Sequence, residues 1–94
     1  MEFIYENEKQ TMDNENLKIF RHYGETNQRK KLKEELYELI EAVDDNDEHM
    51  KEEIADVLNV IDQFIMAKGW AEDIYRIKFE KVERQLKRIK NETN

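Results

Sequence analysis

Apolar residues recur at helical spacing in three long stretches of the chain. Leu32, Leu36, Leu39, Ile40 and Val43 follow one another at intervals of four, three, one and three, which places them on one side of a helix. Met50, Ile54, Val57, Leu58, Ile61, Phe64 and Ile65 form a broader face over roughly 47–68. Tyr75, Phe79, Val82, Leu86 and Ile89 repeat at four, three, four and three, predicting a last helix from about Glu72 to Lys90 that buries this face. A shorter helix is expected from a cap at Asp13 or Asn14 to about Tyr23, with Leu17, Phe20 and Ile19 as its apolar positions. Residues 1–12 have no firm period and are left open between an N-terminal arm and a short helix.

The punctuation between these stretches agrees with them. Gly24 and Gly69 are placed to end helices in the left-handed conformation, and Thr26 is a natural N-cap for the second helix. Asp44 to Glu48 is a run of turn-forming and capping side chains of hairpin length, so helices two and three should be antiparallel neighbours. The expected fold class is all-α: a four-helix bundle with a short first helix, long antiparallel second and third helices, and a basic last helix. Residues 1–94 form one domain in this reading, with a polar tail, 91–94, that frays.

With no proline and two glycines, the composition suits long, rarely interrupted helices. Hydrophobic residues make up 38% and charged residues 41%, which leaves a modest core, so a bundle completed by oligomerisation is expected. A net charge of −7 argues against nonspecific binding to nucleic acid or an anionic membrane. There is no cysteine, which removes disulfides, thiolate zinc sites and thiol nucleophiles. No apolar run approaches the roughly 20 residues of a membrane span, and the first residues lack a basic start and long apolar core. A cytoplasmic location follows as an expectation.

The charges change the picture most at Glu34-Glu35-Leu36-Tyr37-Glu38 and its echo Glu52-Glu53-Ile54-Ala55-Asp56. Each sets acids three residues apart on one side of a helix, where like charges cost about 0.2–0.5 kcal/mol per pair. On a wheel, Gln28, Lys31, Glu35 and Glu38 make one stripe bordering the apolar seam, while Glu53 lies among apolar neighbours and Asp56 just outside them. Antiparallel packing would gather four carboxylates, which cannot all stay ionised in a partly dry pocket without a cation. Hard oxygen ligands favour Mg²⁺, which keeps several waters and prefers carboxylates together with substrate phosphates. Against this stands the plainer possibility that the acids are solvated faces of two ordinary helices in a chain with 23 Asp and Glu residues. A di-iron bundle is disfavoured, because neither His22 nor His49 follows a Glu by three.

Lys78, Lys81, Arg84 and Arg88 form a basic stripe on the last helix. It could hold a pyrophosphate or simply pair with Glu80 and Glu83 in solvent. His22, Tyr23 and Trp70 sit beside glycines at helix ends, where an aromatic can stack on a base or close the core; Trp70 is assigned to core. Serine is absent, and neither a Gly-rich phosphate loop nor a twelve-residue Ca²⁺ loop is present.

Glu34, Glu35 and Glu38, followed after fourteen residues by Glu53 and Asp56, resemble the Glu-Glu-x-x-Glu and Glu-x-x-Asp signature of the MazG-like all-α nucleoside triphosphate pyrophosphohydrolases. Gln28-x-x-Lys31 ahead of them is also similar to the family, and the likeness covers about residues 20–88. The resemblance implies that Glu35, Glu38, Glu53 and Asp56 hold Mg²⁺, with Mn²⁺ as a substitute, and that Glu34 orients or deprotonates the attacking water. It implies cleavage between the α and β phosphates to a nucleoside monophosphate and pyrophosphate, with Gln28, Lys31, Lys78, Lys81, Arg84 and Arg88 as substrate-binding positions. Val82 stands where many members have Asn. It further implies a small-molecule nucleotide substrate, no nucleic-acid polymer or membrane partner, and a homodimer or homotetramer. The alternative is a non-catalytic helical interaction or regulatory module.

Overall fold

Four helices follow one another with almost no connecting chain: α1 (Glu2–Tyr23), α2 (Glu25–Ala42), α3 (Asp47–Lys68) and α4 (Ala71–Glu92). They come from a computed structural model that describes the backbone of residues 2–92 and the side chains of residues 7–92, so the end of the tail at 93–94 lies outside the described residues. The third helix has the predicted bounds. Among the described residues there is no strand, and no helix is long and apolar enough to cross a membrane.

The first helix corrects the expectation of a short one, running 22 residues without a break. Glu, Lys, Gln and Met in its first half are good helix formers, and nothing there interrupts the backbone. Periodicity missed this half because residues 7–12 face solvent, and among the described side chains full burial begins at Asn16 and Phe20. Gly24 then takes a φ of 84°, which lets α2 start at Glu25, two residues after α1 ends; Gly24, not Thr26, occupies the N-cap. Asn27 Nδ2 donates to the Tyr23 carbonyl at 2.8 Å, satisfying one of the last acceptors of α1. Asn46 caps α3 by accepting from the His49 amide at 2.9 Å, and Gly69, with φ 68°, closes it.

Helix α3 packs on both α1 and α2. Phe20, Val60 and Phe64 make the core, with Leu32 and Ala67 against it, and the Phe20 and Phe64 rings meet edge to face at 5.1 Å. Lys68 Nζ reaches Glu25 from the far end of α3, consistent with the antiparallel pairing of α2 and α3.

Two further expectations fail, for one physical reason. In α2 the buried residues are Gln28, Glu35 and Ala42, seven apart, whereas Leu36, Ile40 and Val43 are exposed, Ile40 by 64%. Helix α4 buries nothing: Tyr75, Phe79, Val82, Leu86 and Ile89 are all exposed, Phe79 by 59%. A regular period marks a face that wants covering, but it cannot say whether the cover comes from the same chain. Trp70, assigned to core, is 39% exposed and edges an apolar groove with Leu32, Leu36, Phe64 and Ile74.

Candidate metal centre

The seven-residue rhythm of Gln28, Glu35 and Ala42 turns the polar stripe of α2 toward α3. The facing stripe of α3 carries Glu53, Asp56, Val60 and Gln63 at intervals of three, four and three. One ligand oxygen from each of Glu35, Glu38, Glu53 and Asp56 comes within 4.8 Å of the others. Glu35 is 5% exposed and Glu53 half-buried, while Glu38 and Asp56 open to solvent.

The two inner carboxylates are each half satisfied. Lys31 Nζ sits 3.0 Å from Glu35 Oε1 and His49 Nε2 sits 3.6 Å from Glu53 Oε1. Glu35 Oε2 and Glu53 Oε2 are enclosed with no hydrogen-bond partner, the only such side-chain atoms among the described residues. Leaving a buried carboxylate oxygen without a donor is unfavourable, so both atoms are fitted to something the polypeptide does not provide. Oxygen-only donors, two enclosed and two open, fit a hard divalent cation that keeps water on one side.

Electrostatics register the crowding. The Glu35 carboxylate, and then that of Glu53, hold the Glu38 carboxyl above its usual range. Glu35 beside Lys31 raises the ammonium's pKa, with smaller contributions from Glu34 and Glu38. His49 is raised by Asp45, whose Oδ2 lies 2.7 Å from Nδ1, and Asp45 is lowered in return.

Glu34 is exposed, its Oε2 3.9 Å from Lys31 Nζ. With Gln28 and Lys31 it lines a cleft of about 420 Å³ that also takes in Ile19, Tyr23, Asn27 and Gln63. The structure therefore brings Gln28, Lys31 and Glu34 to one cleft next to the four ligand candidates. It does not bring Lys78, Lys81, Arg84 and Arg88 into that cleft: all four are exposed on α4, and Lys78 edges a shallow apolar depression with Tyr75, Phe79 and Val82.

Sequence reasoning missed two features. His49 ties the hairpin to the centre, and its signal was present in the spacing of His49 and Glu53, four apart on α3, with Asp45 four residues ahead of His49 in the turn. The other is a row of buried amides, in which Gln28 Nε2 donates to Gln63 Oε1 and Gln63 Nε2 donates to Asn16 Oδ1 at 3.2 Å. No local pattern announces a contact between residues 47 apart in the chain.

Helices alone, with four acids gathered from two antiparallel neighbours beside a polar cleft, define a carboxylate-centred all-α bundle. The family model for the MazG nucleotide pyrophosphohydrolase domain matches residues 24–92, and the chain belongs to that family. No curated protein and no solved structure matched the chain in the same comparisons. Family membership points to nucleotide pyrophosphohydrolase chemistry, and the match includes all of α2, α3 and α4.

Proposed function

We propose that the protein hydrolyses a (deoxy)nucleoside triphosphate to the monophosphate and pyrophosphate, clearing noncanonical or surplus nucleotides in the cytoplasm. The observation that carries this reading is the pair of enclosed, unpartnered oxygens, Glu35 Oε2 and Glu53 Oε2, inside a four-carboxylate cluster. Glu35, Glu38, Glu53 and Asp56 would hold Mg²⁺, or Mn²⁺ in its place. When bound, the ion neutralises phosphate charge and polarises the phosphoryl oxygens.

The remaining work falls to the chain's own side chains. Glu34, at the rim of the cleft, orients a water molecule and takes its proton on the carboxylate. The water oxygen forms the new bond to phosphorus as the bond to the oxygen bridging the α and β phosphates breaks, and the bonding electron pair leaves with that oxygen. Lys31 and Gln28 hold the substrate in the cleft. Lys78, Lys81, Arg84 and Arg88 contact phosphate from a second copy of the chain, since their own copy does not bring them to the cleft.

That second copy has its own support. Helix α4 carries seven Lys or Arg against five Asp or Glu, in a chain of net charge −7, and its apolar face is bare. The outer face of α2 and α3 is bare too, at Leu36, Ile40, Ile54 and Leu58, and adjoins the acidic seam. Apolar against apolar and basic beside acidic, the two faces suit each other in a homodimer or a tetramer of such pairs.

Incubation with a panel of NTPs and dNTPs plus Mg²⁺ should release pyrophosphate and the matching monophosphate from at least one. Silence across the panel would favour the second reading, a helical interaction module without catalysis, which the open α4 face would equally serve.

A further inference from the structure

The amides of Asn16, Gln63 and Gln28 come from α1, α3 and α2, and all three residues are more than nine-tenths buried. Buried polar side chains are retained where their hydrogen bonds are made, and a chain of amides has a direction. Each amide has one oxygen and one nitrogen, so fixing one end fixes the rest. Asn16 presents Oδ1 to Gln63 Nε2; this turns Gln63 Oε1 to Gln28, which answers with Nε2. What remains is the Gln28 oxygen. Among the described residues no donor is paired with it, and it is not one of the fully enclosed atoms. Gln28 and Gln63 both line the 420 Å³ cleft beside the carboxylates, with Tyr23 on its wall.

We propose that Asn16, acting through Gln63, aims the amide oxygen of Gln28 into the cleft as an acceptor for an N–H on the nucleobase edge, making the row of amides the device that selects the base. The inference rests on the nucleotide reading above. Gln28 touches the base; Gln63 and Asn16 are positioning residues. Asn16 lies ahead of the stretch that the family model matches, so α1 supplies a part of the site that the matched region does not contain. A site built to hydrogen-bond a substrate group rejects analogues lacking it far more strongly than an apolar pocket can, because the buried polar group is then left unpaired.

The test has a catalytic and a non-catalytic arm. In the first, kcat/KM is measured across the triphosphate panel for the wild type, Asn16→Leu, Gln63→Leu and Asn16→Asp. Both leucine variants should lower the ratio between the best and the next base about tenfold, mainly through KM, while Asn16→Asp, which keeps the acceptor and cannot donate, should retain it. An unchanged ratio in either folded leucine variant overturns the inference even if turnover is robust. In the second arm, nucleoside monophosphates are titrated without metal into ¹⁵N-labelled wild-type protein. The side-chain NH₂ signals of Gln28 and Gln63 should shift, and shift differently among bases. Those shifts in a protein that releases no pyrophosphate would uphold base recognition while the hydrolytic reading falls, whereas no shift from any base overturns the inference.

Discussion

Glu35 and Glu53 come from antiparallel helices, and each encloses one carboxylate oxygen that no protein donor reaches. Leaving both oxygens without a donor is unfavourable, and a cation held between them would relieve it.

Mg²⁺ should therefore raise the melting temperature, because an ion held by this cluster would bind the folded state alone. At a hundred times its Kd the gain is about 2.7 kcal/mol. Chelation should reverse it. Glu35→Gln and Glu53→Gln each remove a charge from the cluster, so both should abolish the Mg²⁺-dependent shift while leaving metal-free stability equal or higher. Calorimetry with and without Mg²⁺ checks both halves.

Glu34 and Asp56 should separate by assay. Asp56→Asn should lose turnover by about a hundredfold or more and weaken the Mg²⁺ response, as expected of a lost ligand. Glu34→Gln should also lower kcat, by about 10²–10⁴-fold for a lost general base, yet keep the full thermal response to Mg²⁺. Equal metal responses in the two variants would dissolve the distinction between ligand and base.

The bare face of α4 should be covered in solution. Phe79→Lys and Leu86→Lys place charge in the middle of that face and should shift sedimentation from an oligomer to a monomer, at high salt as well as low. Activity in these variants should fall as the protein is diluted, because in the proposed function Lys81 and Arg84 contact phosphate from a second copy. A wild type that sediments as a monomer at millimolar concentration would overturn this.

Glu25 fastens α2 to the end of α3: Lys68 above all, and then Arg29, whose Nη2 lies 2.9 Å from its Oε2, hold its carboxyl below the usual range. A lowered folded-state pKa means that the stabilisation is present above the unfolded value near 4.5 and is lost as pH falls through the folded one. Urea midpoints followed down from pH 5 should drop less steeply for Glu25→Gln than for the wild type. Parallel curves would show that this contact contributes nothing in solution.

Much of this was legible in the order of residues. The bounds of α3, the turn at Gly69 and the convergence of Glu35, Glu38, Glu53 and Asp56 all follow from spacing on a helix. The burial of α2 was not legible, because a polar row at Gln28, Glu35 and Ala42 faces inward while leucines face out, the reverse of an ordinary surface helix. The first half of α1 was hidden because helix propensity alone, with residues 7–12 exposed, leaves no period. The row of amides was hidden because it joins three helices whose relative placement no local window contains.

The seam between α2 and α3 holds glutamine and glutamate where a thermostable bundle would hold leucine. Substituting Gln63 alone with an aliphatic residue would strip Gln28 and Asn16 of their buried partner, at a cost of about 1–3 kcal/mol for each group left unpaired, so heat resistance could be gained here only by replacing the amides together. Variants selected one change at a time for surviving high temperature should therefore leave these three positions alone and gather their gains elsewhere.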